Sequence, residues 1–160
     1  AALRNSAPVQ APPGGGCPGS RSRVLMHEDV TAAPAGAISS QLRQWPVQLK
    51  LAPLCAPYFD GANLLIAADC SAFAYGNFHQ EFMHGKVSLI GCPKLDGADY
   101  SEKLTEILRQ NLIKSLTVVR MEVPCCGGIE QAAVTALKNS GKFLPWQVVT
   151  LSTDGRVLES

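Results

Sequence analysis

Hydrophobic positions along this chain follow two alternating periods. Asn63–Ala68 (NLLIAA), Val87–Ile90 (VSLI) and Leu116–Val119 (LTVV) are short, nearly continuous apolar runs. Strands buried on both faces of a parallel sheet need such runs. Between them the period becomes helical. Tyr100, Leu104, Ile107 and Leu108 recur at i, i+4, i+7 and i+8, which predicts an amphipathic helix, with Asp99 and Glu102 as its capping box. Phe78, Phe82 and Met83 keep helical spacing, and Gly85 is placed to end that helix. Gly127 and Gly128 open another helix, with Ile129, Ala133, Ala136 and Leu137 on one side and Gly141 as its C′ residue. Val47, Leu49 and Leu51 alternate with polar residues, which predicts a strand with one covered face, broken by Pro53 and Pro57. A short helical turn is expected from Tyr58 to Ala62. Val148, Val149 and Leu151 predict a last strand, and Asp154-Gly155 a tight hairpin turn.

Strands thus alternate with helices. That order predicts an α/β fold: a Rossmann-like, three-layer parallel sheet with flanking helices and right-handed crossovers. Residues 1–40 read as a flexible Ala/Pro/Gly-rich arm, because such composition buries too little apolar surface to offset its ordering entropy. Residues 41–160 read as the α/β domain that carries most of the cysteines.

Composition narrows the function classes. The chain has 160 residues, of which 46% are hydrophobic, enough for one real core. A formal net charge of +1, without a dense Lys/Arg run, gives no pull toward nucleic acid. No segment approaches the roughly 18–20 apolar residues of a membrane span, and the first residues lack the apolar region of a secretory signal. A cytoplasmic chain is therefore expected. No GxGxxG or GxxxxGK[ST] follows a strand, and GGGCPGS lacks both the strand and the lysine, which argues against a nucleotide site.

The six cysteines then become the informative feature. Cys70 ends NLLIAADC, Cys92 ends VSLIGC, and Cys125 and Cys126 follow LTVVRMEVP. Ligands of open parallel sheets bind beyond the carboxyl ends of the strands, so these four thiols are expected near one point. Thiolates are soft ligands suited to iron–sulfur clusters or zinc. Cys125-Cys126 precedes a helix, whose N-terminus favours thiolate. Gly127 and Gly128 would let backbone N–H groups approach a cofactor. Cys17 in GGGCPGS and His79 are possible substitute ligands, whereas Cys55, between prolines, reads as a loop residue. Asp69 could orient a neighbouring ligand or cap a turn, and Lys94 beside Cys92 reads as a surface lysine. Buried structural thiols and disulfides remain open as alternatives. No CxxC pair occurs, which excludes a zinc ribbon and the bacterial ferredoxin run.

The segments GCPGSRSRVL, SQLRQWPVQLKLAP, PYFDGANLLIAADC, GCPKLD and EVPCCGG together resemble the C-terminal domain of a group of ferredoxin-like iron–sulfur proteins of anaerobes. The resemblance runs from about Cys17 onward. In that group a module with two four-iron clusters precedes the domain; its eight cysteines are not among these 160 residues. The run IGCPKLDGADYSEKLTEIL is similar to the strand–GCP–helix passage of hydrogenase small subunits and of the cluster-carrying subunit of respiratory complex I, which implies iron on Cys92. Cys92 followed by Cys125-Cys126 resembles the first half of the CCG domain of heterodisulfide reductases, without its later CxxC. The expected function is a redox-associated iron–sulfur domain, 4Fe-4S foremost, acting in electron transfer rather than as an enzyme. A redox partner protein or ferredoxin module is its expected partner. The alternatives are a zinc site, structural or catalytic, on the same thiols, and a metal-free protein-interaction module.

Overall fold

The structure is a computed structural model that describes residues 18–26 and 36–160. Two short strands, β1 (Arg23–Val24) and β2 (Gln44–Trp45), pair antiparallel ahead of the main sheet. The main sheet contains β3 (Asn63–Ala68), β4 (Val87–Gly91), β5 (Ser115–Met121), β6 (Trp146–Leu151) and β7 (Val157–Glu159). Its spatial order is β4-β3-β5-β6-β7. The first four are parallel to their neighbours, and β7 returns antiparallel to β6. Four α-helices lie between: α1 (Ser71–Ala74), α2 (Pro93–Asp96), α3 (Ser101–Gln110) and α4 (Gly127–Ser140).

The apolar runs explain this layering. In β3, Leu64 and Ile66 face Leu104, Ile107 and Leu108 of α3 and Ile129, Ala133 and Ala136 of α4. Leu65 and Ala67 face the opposite way, against Phe78, Phe82 and Met83. Both faces of the central strand are therefore covered, as a run without polar alternation requires. Each such Leu or Ile contributes about 1.5–3 kcal/mol by leaving water. The chain is α/β and Rossmann-like, as expected.

Three local expectations change. Residues 47–51 do not form a regular strand. Ile90 donates its N–H to Val47 O at 2.9 Å and accepts from Leu49 N–H at 2.8 Å, so the segment runs along the outer edge of β4 only briefly. The chain then turns, with Leu51 and Ala52 both donating to Gln48 O. Leu49 is fully buried, whereas Leu51 is half exposed. Next, the segment His79–Met83 winds as a π-helical turn rather than an α-helix, and Gly85 follows at φ +71°. Finally, the start of α3 does not form the expected capping box: its N-cap is Tyr100, without a side-chain cap bond, while Asp99 accepts from Ser101 N–H at 2.9 Å. That bond holds the Asp99 carboxyl below its usual range.

The loop carrying Cys55 is clamped by Asn111, just past α3. Its amide donates to Leu54 O at 2.8 Å and its oxygen accepts from Ala56 N–H at 3.4 Å. This clamp sits where β3 and β5 begin, since Lys114 N–H bonds Ala62 O there. The Asp154-Gly155 hairpin forms as expected, with Gly155 at φ +87°. A Cβ on Gly155 would lie 2.6 Å from Ala74 O, so the hairpin packs directly on the end of α1. Beyond it, β7 has no further neighbour among the described residues, and its Val157 and Leu158 are exposed.

Candidate metal centre

The sheet brings three strand ends side by side. Ala68 of β3 is in register with Gly91 of β4, and Ala67 with Val119 of β5. From β3 the chain goes out to β4 and then crosses back over β3 to β5. The β3-to-β4 connection covers the Phe78–Phe82 face, while α3 and α4 cover the other. Loops leaving β3 and β5 therefore part to opposite faces. That divergence makes the crevice between them a topological switch point, the usual ligand position in doubly wound sheets.

Four cysteines follow the ends of these three strands. Cys70 follows β3 and heads α1, where its carbonyl accepts from Ala74 N–H at 3.0 Å; its side chain is exposed. Cys92 follows β4 and precedes α2, half buried, with its carbonyl bonded by Asp96 N–H at 2.9 Å. Cys125 and Cys126 form a 3₁₀ turn, Pro124–Cys126, directly before α4. Cys125 is exposed and Cys126 buried. Burial pushes the Cys126 thiol above its usual pKa, a backbone hydrogen bond at Met121 lowers it, and the neighbouring thiols of Cys125, Cys70 and Cys92 raise it further. Cys70, Cys92 and Cys125 thus each lie within electrostatic reach of Cys126. All four are free thiols. Among the described residues, no three His, Cys, Asp or Glu side chains are grouped as closely as one metal ion requires. A tetrahedral zinc at about 2.3 Å from each sulfur draws its thiols to within about 4 Å of one another, whereas a cluster with iron at several corners spans ligands set wider.

The glycines act as spacers between the cysteine turns. A Cβ on Gly128 would meet Pro93 Cβ at 3.2 Å, so the absent side chain lets α4 pack on the residue after Cys92. A Cβ on Gly127 would meet the Arg120 guanidinium at an ordinary 3.8 Å. Arg120 is in turn paired with Glu130 of α4 at 2.8 Å, which ties the end of β5 to the helix that Cys126 precedes. Sequence reading missed Arg120, although its charge interrupts the apolar run VVRMEV. It took Asp96 only as a helix-starting residue and passed over Gln48. Gln48 Nε2 reaches Asp69 Oδ1 at 3.5 Å. Burial raises the Asp69 carboxyl above its usual range, the Gln48 bond lowers it, and the Asp96 charge adds to the rise.

His79 is engaged elsewhere. Its Nδ1 accepts from Gln41 N–H at 3.0 Å, so a neutral ring carries its proton on Nε2. The Gln41 side chain also meets His84 Nδ1 at 3.0 Å, and the two histidines together fasten residues 41–42 over the π-helical turn. Cys17 lies outside the described residues.

This geometry predicts an order of thiol reactivity in metal-free protein. Cys70, Cys125 and the remote Cys55 are exposed and should alkylate first, whereas Cys126, buried and with less thiolate at a given pH, should alkylate last. Peptide mass spectrometry after brief iodoacetamide treatment checks this; early labelling of Cys126 would contradict the burial described.

The family description "Rossmann-like domain" matches residues 56–160, the span from the loop before β3 through β7. The chain belongs to that family. A protein of Archaeoglobus fulgidus, named only as uncharacterized, is 34% identical to this Rossmann-like chain over 103 residues, covering 64% of this chain and 72% of the relative. No solved structure matches it. The family fixes the layering of the Rossmann-like domain and places all four clustered cysteines inside the matched span. Function is argued from the site, since this fold hosts many chemistries. No helix among the described residues is long and apolar enough to cross a membrane.

Proposed function

We propose that this Rossmann-like domain holds an iron–sulfur cluster, 4Fe-4S foremost, on Cys70, Cys92, Cys125 and Cys126, and serves electron transfer in the cytoplasm. The observation that carries the reading is the placement of Cys70, Cys92, Cys125 and Cys126 just beyond the carboxyl ends of the neighbouring strands β3, β4 and β5. The donor set fits: thiolates at the end of a parallel sheet, one of them directly before a helix N-terminus that favours negative charge. A bound cluster would supply one-electron transfer. The protein's own part is to hold four thiols on three strand ends, to bury Cys126, and to keep Cys70 and Cys125 at the surface, where a redox partner or ferredoxin module approaches. No general acid or base is needed for that role, so the reading is of an electron carrier or accessory domain rather than an enzyme.

Zinc on the same thiols is the second reading. It ranks lower because adjacent Cys125 and Cys126 cannot both reach one ion comfortably and because the described side chains are not grouped for a single ion. The deciding experiment is iron, zinc and acid-labile sulfide content with a visible spectrum, on protein purified without oxygen. Iron with sulfide and broad absorption near about 400 nm is the expected result for a thiolate-held cluster. Zinc without sulfide would move the assignment to the second reading. Folded protein with neither would make the domain a metal-free interaction module.

A further inference from the structure

The outer flank of β6 is only partly covered. β7 meets it at Thr150 and Leu151, with a register shift between them, and Trp146 to Val149 have no neighbour on that side among the described residues. The pairing with β5 gives the direction of the backbone groups. Leu116 donates its N–H to Pro145 O at 3.0 Å, and Glu122 donates its N–H to Leu151 O at 2.8 Å. Alternation along the strand then turns Gln147 and Val149 toward β5 as well, so the N–H and C=O groups of Trp146 and Val148 point outward. Edge strands are ordinarily guarded by charge, proline or a bulge. From Trp146 to Val149 this strand carries none of them: the residues are Trp-Gln-Val-Val, and the register shift comes later. A groove accompanies the flank. Val134, Leu137 and Lys138 of α4 line one side, and Lys142, Phe143 and Trp146 the other, around a cavity of about 270 Å³. Phe143 is fully exposed and Trp146 half exposed. No acidic residue lines the groove, and neither lysine has an ion-pair partner among the described residues.

We propose that this flank accepts an extended segment of a partner protein, added beside β6 as a further strand, with an acidic side chain toward Lys138 and Lys142 and an apolar one in the groove. The unguarded backbone argues for the extended form. In strand addition, main-chain hydrogen bonds supply affinity, and the side chains of alternate residues supply specificity. The lysines argue for the chemistry. Two cations with no acid beside them repel a basic segment and hold an acidic one. Phe143 and Trp146 give the apolar side chain an aromatic wall, with Leu137 beneath. The groove lies at the amino end of β6, whereas the cysteines follow the carboxyl ends of β3, β4 and β5. The inference therefore stands apart from the cluster reading, and a partner held here leaves the exposed thiols open.

The test uses a displayed library of random linear peptides, panned on the full chain. It should enrich sequences in which Asp or Glu alternates with apolar residues. A synthetic copy of an enriched peptide should bind the double variant Lys138→Glu, Lys142→Glu at least about 10-fold more weakly than wild type. Both side chains reach solvent, and far-ultraviolet dichroism checks that the variant keeps its fold. Methylating the backbone nitrogens of the peptide gives a readout specific to strand addition. One alternate set of amides faces β6 and the other faces solvent, so methylation of the first set should abolish binding and of the second should leave it. Enrichment of basic peptides, or no enrichment above that on an unrelated protein, would overturn the proposal. Equal effects of the two methylated sets would overturn it too, since a helical or irregular ligand has no such alternation. A dimer of the chain that Trp146→Ala converts to a monomer would assign the flank to a second copy, and would overturn it as well.

Discussion

Replacing Cys126 by serine should leave the fold intact and reduce iron loading to background. Cys126 is the buried member of the four, and each of the other three lies within electrostatic reach of it. Serine matches the thiol in shape, so packing against Val123 and Met121 is kept. It is a hard, weakly acidic donor and a poor substitute for a soft ligand. Loss at this position leaves Cys125 as the only thiol on the β5 side, and three separated ligands hold a cluster loosely. The matched control is Cys55→Ser. Cys55 sits where the strands begin, in the loop clamped by Asn111, and its loss should leave loading at the wild-type level. Iron and sulfide per chain, measured with the far-ultraviolet dichroism spectrum of each variant, separate loss of ligation from loss of fold. Full loading of Cys126→Ser would remove Cys126 from the ligand set.

The largest effect on stability should come from Ile129→Ala. Ile129 is fully buried on the first turn of α4, between that helix, α3 and the sheet. Removing its outer carbons leaves a cavity that neighbouring side chains fill only in part, at a cost of about 2–5 kcal/mol. For a chain of this size each kcal/mol lowers Tm by roughly 2–4 °C. Chemical denaturation should show a lower midpoint with an unchanged slope. Because Ile129 lies three residues after Cys126, the same cavity should also loosen the turn that carries two candidate ligands. Phe143→Ala is the counterpart: that ring is fully exposed, and its removal should leave stability near the wild-type value.

Legibility in the sequence followed the range of the interaction. The four parallel strands were readable because burial on both faces leaves no polar alternation, as in Leu64 to Ala68. The helix over Tyr100 to Leu108 was readable from its stripe, and Gly141 and Gly155 from the backbone angles that their turns require. Leu51 misled, because alternation alone does not reveal that Gln48 turns the chain back on itself. Gln44 gave no signal. It is a fully buried amide whose partner is the backbone of Ser88, 44 residues away, and no local pattern encodes such a pair. At the site, topology put Cys70, Cys92, Cys125 and Cys126 at one edge of the sheet, which their positions after apolar runs had announced. Sequence could not tell that Gln41 occupies His79, nor that Pro93 fills the space beside Gly128. Tyr100 was legible as a buried residue but not as a donor to Asp96, since periodicity reports burial and says nothing of what an oxygen meets.

The segment that runs along β4 has a consequence for how copies of this domain can meet. With Val47 and Leu49 taking both backbone groups of Ile90, that flank offers no template to an incoming strand. Within the five-stranded sheet the other edge strand is β7, three residues long and bearing Val157 and Leu158, which has no further neighbour among the described residues. A sheet with one such flank can be extended once. Two copies joined there through a two-fold axis would form a continuous ten-stranded sheet, counting five from each, and would then have no further flank to offer. Growth into a fibre needs two open flanks per molecule, so association through β7 alone terminates at a pair.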